Sequence, residues 1–285
     1  MTTNTGKLSF ELVQDWAEIP AGFEMGEVPN ATTDAQGRVY VLNRGKSPIL
    51  VFDSDGKFLN SMGEGIFEDP HGACIDVDGR IYVVDRNAHV IVRLSPDGKV
   101  QRTIGTRDRA SGEQSGVPFN RPTGVAISSE GEIYISDGYA NSRIHKYAAD
   151  GSLIFSWGGP GTHPGQFNLP HGICIDAEDR IYVADRENNR LQVFNTEGDF
   201  IKMWTDLLRP SDVALDCEGN LYVSELGDRV TVLSYQGEVL AQWGQEGREP
   251  GMFIRPHGLA VDAEGSVYVT EVHKGKRIQK FRRKS

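Results

Sequence analysis

Cysteine is scarce in this chain of 285 residues: there are three, an odd number, at Cys74, Cys174 and Cys217. No disulfide framework is expected. All three lie in or beside predicted inner strands and read as small hydrophobes in a reducing compartment, which places the protein in the cytoplasm. No stretch approaches the roughly 18 apolar residues of a membrane helix, so no membrane partner is expected. The opening MTTNTGKLSFELVQDW has neither the apolar core nor the small-residue cleavage site of a secretory leader. Basic residues are outnumbered, 30 against 40, which argues against nucleic acid as a partner. The basic run from Lys274 to Lys284 reads as a solvated last strand and tail. Also missing are any proline-rich linker, low-complexity block or shift of composition. Residues 1–285 therefore read as one domain.

What is present is repetition. Pro29, Pro70, Pro122, Pro170, Pro210 and Pro256 mark six copies, at intervals of 41, 52, 48, 40 and 46 residues. Each copy has a first strand running to an Asp or Gly turn (VDGR, AEDR, CEGN), then an alternating second strand (RIYVVD, RIYVAD, NLYVSE). A third strand (RIHKY, RLQVF, RIQKF) and a fourth (LIFSWG, VLAQWG) follow. Period-two alternation bounded by such turns is a strand signal, and a period of 40–50 residues with several strands per unit predicts a propeller. The last copy runs out after its third strand at Phe281. The segment Leu8 to Trp16 looks like a fourth strand belonging to no complete unit. The fold expected is therefore all-β, a six-bladed β-propeller closed by its N-terminal strand, with residues 1–16 structural although terminal. YVADRENNRLQVF followed by a glycine turn resembles the NHL repeat, a likeness that extends over the whole chain and does not by itself imply an enzyme.

The residue after each marker proline separates the copies. His71, His171 and His257 occupy every second one, within PHG; Asn30, Thr123 and Ser211 occupy the others. In a six-membered ring, alternate copies stand about 120° apart, so three imidazoles would converge on the axis. Three neutral imidazoles with one open position make a catalytic zinc centre. The competing structural reading, a strand-capping histidine, should tolerate all six copies or a random subset rather than strict alternation. Antiparallel pairing returns the end of the second strand to the same rim, bringing Arg44, Arg86 and Arg186 and the loop with Tyr139. The longest inter-blade segment, Gly105 to Asn120, opens there as well. Arg143, Arg190, Arg229 and Arg277 recur on third strands and read as structural ties. His89, His163 and His273 do not share the inner position, and His145, within a third strand, reads as a surface residue.

SDGYANSRIHKYAADGSLIFSWG, PGQFNLPHGICID and VADRENNRLQVF together resemble the peptidyl-α-hydroxyglycine α-amidating lyases, most strongly from Arg121 to Phe194. The resemblance implies a zinc held by His71, His171 and His257, a catalytic Tyr139 and active-site arginines Arg44 and Arg186. It implies a lyase that breaks the C–N bond of an N-acyl hemiaminal to give an amide and a carbonyl such as glyoxylate. Tyr139 would be the base, and an arginine would grip the carboxylate of a small or short peptide-like substrate. Two positions depart from the family pattern. Gly258 stands where the family has an Asp that helps hold a structural calcium, leaving calcium doubtful. Arg255 replaces a methionine of the substrate pocket and, with Arg121 and Arg209 at matching sites, could favour a second carboxylate; Arg86, at the rim, is a further candidate for substrate binding. Other classes remain: a different metal-dependent propeller lyase or hydrolase, or a non-enzymatic NHL interaction module. The calcium lactonases use Glu, Asn and Asp at the axis rather than His, and a binding module should carry no metal.

Overall fold

The computed structural model describes residues 6–284. Six antiparallel sheets of four strands each make the fold a six-bladed β-propeller. The blades divide between two compact units, residues 66–210 and residues 1–65 with 211–285. In the first unit the blades begin with the strands Pro70–Ile75, Gly124–Ile127 and Pro170–Ile175 and end with Val100–Ile104, Leu153–Gly158 and Phe200–Trp204. In the second unit the opening strands are Ala31–Thr33, Pro210–Leu215 and Pro256–Val261.

The Asp that follows five of the six inner strands, with Ser128 in its place in the sixth, explains the hairpin after it. Asp76 Oδ1 accepts the N–H groups of Asp78 and Arg80 at 3.0 and 2.9 Å, and Oδ2 accepts Arg80 Nε at 2.6 Å. Asp176 repeats this arrangement and also takes the Tyr182 hydroxyl at 2.7 Å. A short polar side chain that bonds the backbone two and four residues on stabilises a turn. Every second strand carries a buried tyrosine: Tyr82, Tyr134, Tyr182, Tyr222 and Tyr268 are fully buried and Tyr40 is 3% exposed. Burying such a side chain is worth about 1.5–3 kcal/mol. Tyr82, Val84, Ile91, Phe119, Val125 and Ile135 form one such layer between neighbouring blades; Tyr134, Ile144, Phe167, Ile173 and Phe194 form the next.

The terminal strand expected over Leu8 to Trp16 is found at Phe10–Val13. It pairs antiparallel with Ile278–Arg283, in register from Phe10↔Arg283 to Val13↔Lys280, and so completes the last blade. Phe10 stacks on Trp243 at 4.7 Å, and Trp16 is buried against Phe52 and Tyr268. Residues 1–5 of the segment expected to be structural lie outside the described residues. No helix among the described residues is long and apolar enough to cross a membrane.

Two expectations are corrected. His145 is not a surface residue: it is fully buried, with Nδ1 at 2.7 Å from Ser156 Oγ and Nε2 at 3.2 Å from Asp137 Oδ2. Its ring packs against Phe119 (centroids 5.5 Å apart), a member of the layer between neighbouring blades, so a residue distant from the axis is still interior. Cys217 does not pack as a small hydrophobe, since it is exposed in the turn after an inner strand. Cys74 does pack against an interblade layer, beside Tyr82 and Ile127.

Candidate functional site

The inner strands Pro70–Ile75, Gly124–Ile127 and Pro170–Ile175 lie side by side, and glycine permits the approach. A Cβ on Gly72 would stand 2.5 Å from the Thr123 carbonyl oxygen. His71, one residue earlier, is 1% exposed, with Nδ1 at 2.7 Å from that same oxygen. A carbonyl only accepts, so Nδ1 carries the proton, and the lone pair is on Nε2. His171 is 3% exposed, and its ring centroid is 4.8 Å from that of His71. Thr123, at the equivalent position between them, has a structural role: its hydroxyl sits 2.9 Å from the Pro170 carbonyl and 2.8 Å from Ser136 Oγ.

Tyr139 joins the two histidines. Its hydroxyl is 3.2 Å from His71 Nε2 and 3.3 Å from His171 Nε2. The loop carrying it is clamped by the buried Asn141. That amide donates to Asp137 Oδ2 and the Val117 carbonyl, both at 2.8 Å, and accepts the Gly116 N–H at 2.9 Å. Gln114 N–H adds a bond to the Ala140 carbonyl at 2.8 Å. The long segment from Gly105 to Asn120 therefore acts as a strut for the tyrosine loop.

Two arginines lie against the Tyr139 ring, Arg86 at 5.2 Å and Arg186 at 5.5 Å from its centroid. Contacts of this kind contribute about 0.5–2 kcal/mol each. Burial works against the Arg86 charge, but Asp69 and Tyr139 more than offset it and raise its pKa above the usual arginine value. Arg86 Nε donates to Asp69 Oδ2 at 2.6 Å. Arg186, 8% exposed, opens a short 3-10 turn, Arg186–Asn188, and its Nε donates to Glu187 Oε1 at 3.0 Å. The other polar residues of ADRENNR serve the fold. Asp185 accepts from Arg190 Nε at 2.7 Å, Asn188 Nδ2 at 2.8 Å and the Asn168 N–H at 2.7 Å. Burial raises its pKa against those bonds. Arg190, Arg229 and Arg277 tie to Asp185, Glu225 and Glu271, the structural role expected of them.

In the other unit His257 is 6% exposed, with Nδ1 2.8 Å from the Pro29 carbonyl. This copies the His71 contact one for one, so Nε2 again carries the lone pair. A Cβ on Gly258 would stand 2.5 Å from the Pro29 oxygen, leaving no room for a side chain. Arg44 Nη1 pairs with Glu27 Oε2 at 2.6 Å, and the two residues also form a backbone bridge. Arg121, Arg209 and Arg255 share a backbone device. Each has positive φ, and its N–H bonds to a side chain from the preceding blade: His89 Nδ1 at 3.0 Å, Asn189 Oδ1 at 2.9 Å and Asp228 Oδ1 at 2.8 Å. The half-exposed guanidinium of Arg209 is paired with Glu187.

The structure thus brings together His71, His171, Tyr139, Arg86 and Arg186 within one unit, and gives His257 the same local setting in the other. Sequence reasoning passed over Asp69, Asn141 and Glu187, the residues that hold the arginines and the tyrosine. Their signal was adjacency: Asp69 precedes PHG, Asn141 lies within DGYANSR, and Glu187 follows Arg186.

Comparison with known proteins agrees with the architecture. The NHL repeat model matches residues 67–94, 119–147, 167–194 and 253–281, which defines the class as an NHL-repeat β-propeller. The Mus musculus NHL repeat-containing protein 3 is 30% identical over 241 residues, 79% of this chain and 69% of the mouse protein. The chain belongs to the NHL-repeat family. A weaker likeness reaches Drosophila melanogaster peptidyl-alpha-hydroxyglycine alpha-amidating lyase 1: 48% identity over 44 residues, 15% of this chain and 8% of that protein. A solved streptogramin B lyase superposes with a TM-score of 0.67 at 16% identity, covering 96% of this chain and 98% of that one, a likeness of fold alone.

Proposed function

We propose that the chain is a metal-dependent carbon–nitrogen lyase acting on an N-acyl hemiaminal of the α-hydroxyglycine type. The observation that carries this reading is the Tyr139 hydroxyl, 3.2 and 3.3 Å from the Nε2 atoms of two buried histidines and flanked by two guanidiniums.

The donor set suits zinc. His71, His171 and His257 would hold it through Nε2, because the Nδ1–H groups of His71 and His257 are spent on carbonyl oxygens, the usual second-shell arrangement of a metal-bound imidazole. Zinc held there supplies Lewis-acid chemistry, stabilising negative charge that develops on a substrate oxygen. Tyr139, acting as its phenolate, would then take the proton of the carbinol hydroxyl and become the neutral phenol. As the C=O bond forms, the C–N bond breaks with its electron pair passing to nitrogen, which is protonated to the amide; glyoxylate or a related carbonyl is released. The two guanidiniums place positive potential on the ring while it changes charge. Arg186 grips the substrate carboxylate, and Arg44 and Arg255 remain candidates for further substrate contacts. Calcium has no side-chain ligand at position 258.

Protein purified without chelator should contain about one zinc per chain and release glyoxylate from N-benzoyl-α-hydroxyglycine. A protein that carries and takes up no transition metal is instead a non-enzymatic NHL interaction module. A zinc-loaded protein that releases no glyoxylate from any hemiaminal retains the metal centre but performs another reaction.

A further inference from the structure

The two arginines on the Tyr139 ring are held in different ways. Arg86 is paired with Asp69, a carboxylate only 5% exposed. Arg186 has only a share of its partner. Glu187 Oε1 accepts Arg186 Nε at 3.0 Å and also Arg209 Nη2 at 2.7 Å, while Oε2 accepts Arg209 Nε at 3.1 Å. Arg209, the outer and half-exposed arginine, thus holds both oxygens in the forked geometry that makes such pairs strong. Burial alone would raise the Glu187 pKa, but the two guanidiniums more than offset this and lower it, so the carboxylate is charged. No acceptor among the described residues takes up Nη1 or Nη2 of Arg186, whose only side-chain hydrogen bond is the one from Nε.

We propose that Glu187 and Arg209 are positioning residues that set how much of Arg186 is available to a substrate carboxylate. The inference rests on the lyase reading only in taking a monocarboxylate as the ligand class. The reasoning is electrostatic. A carboxylate shared by two guanidiniums orients the inner one without neutralising it. Remove Arg209, and the whole Glu187 charge falls on Arg186, which then has less to offer a ligand. Remove the Glu187 charge as well, and Arg186 is released. Neighbouring groups in one charge network are expected to show such non-additive coupling.

The test is glyoxylate binding to the zinc-loaded full chain, measured by calorimetry. Arg209→Ala should weaken glyoxylate about tenfold, and Arg209→Lys by less. Adding Glu187→Gln to Arg209→Ala should bring the affinity back to within about threefold of wild type. Glu187→Gln alone should bind at least as tightly as wild type, and it serves if the Arg209 variants do not fold. A merely structural pair would not show this reversal. An unchanged affinity in Arg209→Ala, a double variant no tighter than the single one, or weaker binding by Glu187→Gln alone overturns the proposal, as does a wild type that binds no glyoxylate. A wild type that binds glyoxylate yet forms none from a hemiaminal defeats the lyase reading and leaves this test intact.

Discussion

Residues 66–210 hold histidines in two contrasting settings. His71 and His171 begin inner strands, and their Nε2 atoms converge on the Tyr139 hydroxyl. His145 lies midway through a third strand, where Ser156 and Asp137 take its two ring nitrogens. Both kinds are buried, so burial does not distinguish a ligand from a structural residue. The difference is in the nature of the partners. At His71 a backbone carbonyl on Nδ1 fixes the tautomer and leaves Nε2 as the atom able to donate its lone pair, whereas the hydroxyl and carboxylate on His145 use the imidazole as a link in a blade's own network. Gln192, which bonds Asp185, and Gln279, which bonds Glu271, take the corresponding place in other blades.

The sharpest way to break this contrast is to remove one inner histidine. His171→Ala should lower zinc affinity by more than about 100-fold, since losing merely a partner of a ligand costs 10–100-fold; competition with a chelator measures it. Zinc retained at wild-type affinity would mean that the inner histidines are structural. Next is Tyr139→Phe, which should cut hemiaminal turnover by about 10²-fold or more with zinc content unchanged; wild-type turnover would shift the base elsewhere. His145→Ala should do the reverse. Zinc should stay, while stability falls by about 2–4 kcal/mol in chemical denaturation, because a buried Asp137 loses a partner and a cavity opens.

The smallest effect concerns Asp212, an inner-strand acid whose pKa burial pushes up to about 7 against hydrogen bonds from Leu259, Val213 and Asn30. An acid with a raised folded pKa holds its proton in the native state after the unfolded chain has lost it. Native stability should therefore fall as pH rises from about 4 to about 7. Asp212→Asn should flatten that part of the melting-temperature profile. An unchanged slope would show that Asp212 is already ionised in the fold.

How much of this could be read in advance depends on whether the information is local. The Asp-ended inner strands, the alternation of RIYVAD and the glycine turns are properties of a few consecutive residues, so the six blades and even the orphan strand at Phe10–Val13 were legible. The alternate placement of His71, His171 and His257 was equally plain, because a repeat converts spacing along the chain into position in space. His145 was misread because a strand's sequence does not reveal whether a third or a fourth strand faces water. The Glu187–Arg209 pair was not legible because its members stand 22 residues apart and belong to different blades.

The sequence by itself determined the repeat, the strand order and the placing of His71, His171 and His257 at equivalent positions of alternate copies, since each depends on residue identity at fixed spacing. Tertiary structure alone decided which groups meet. The Thr123 carbonyl orients His71, Asn141 clamps the Tyr139 loop, and Glu187 is shared between Arg186 and Arg209. Those contacts depend on how segments pack, which spacing and periodicity do not state; beside His71 the packing is close enough that a Cβ on Gly72 would stand 2.5 Å from the Thr123 oxygen.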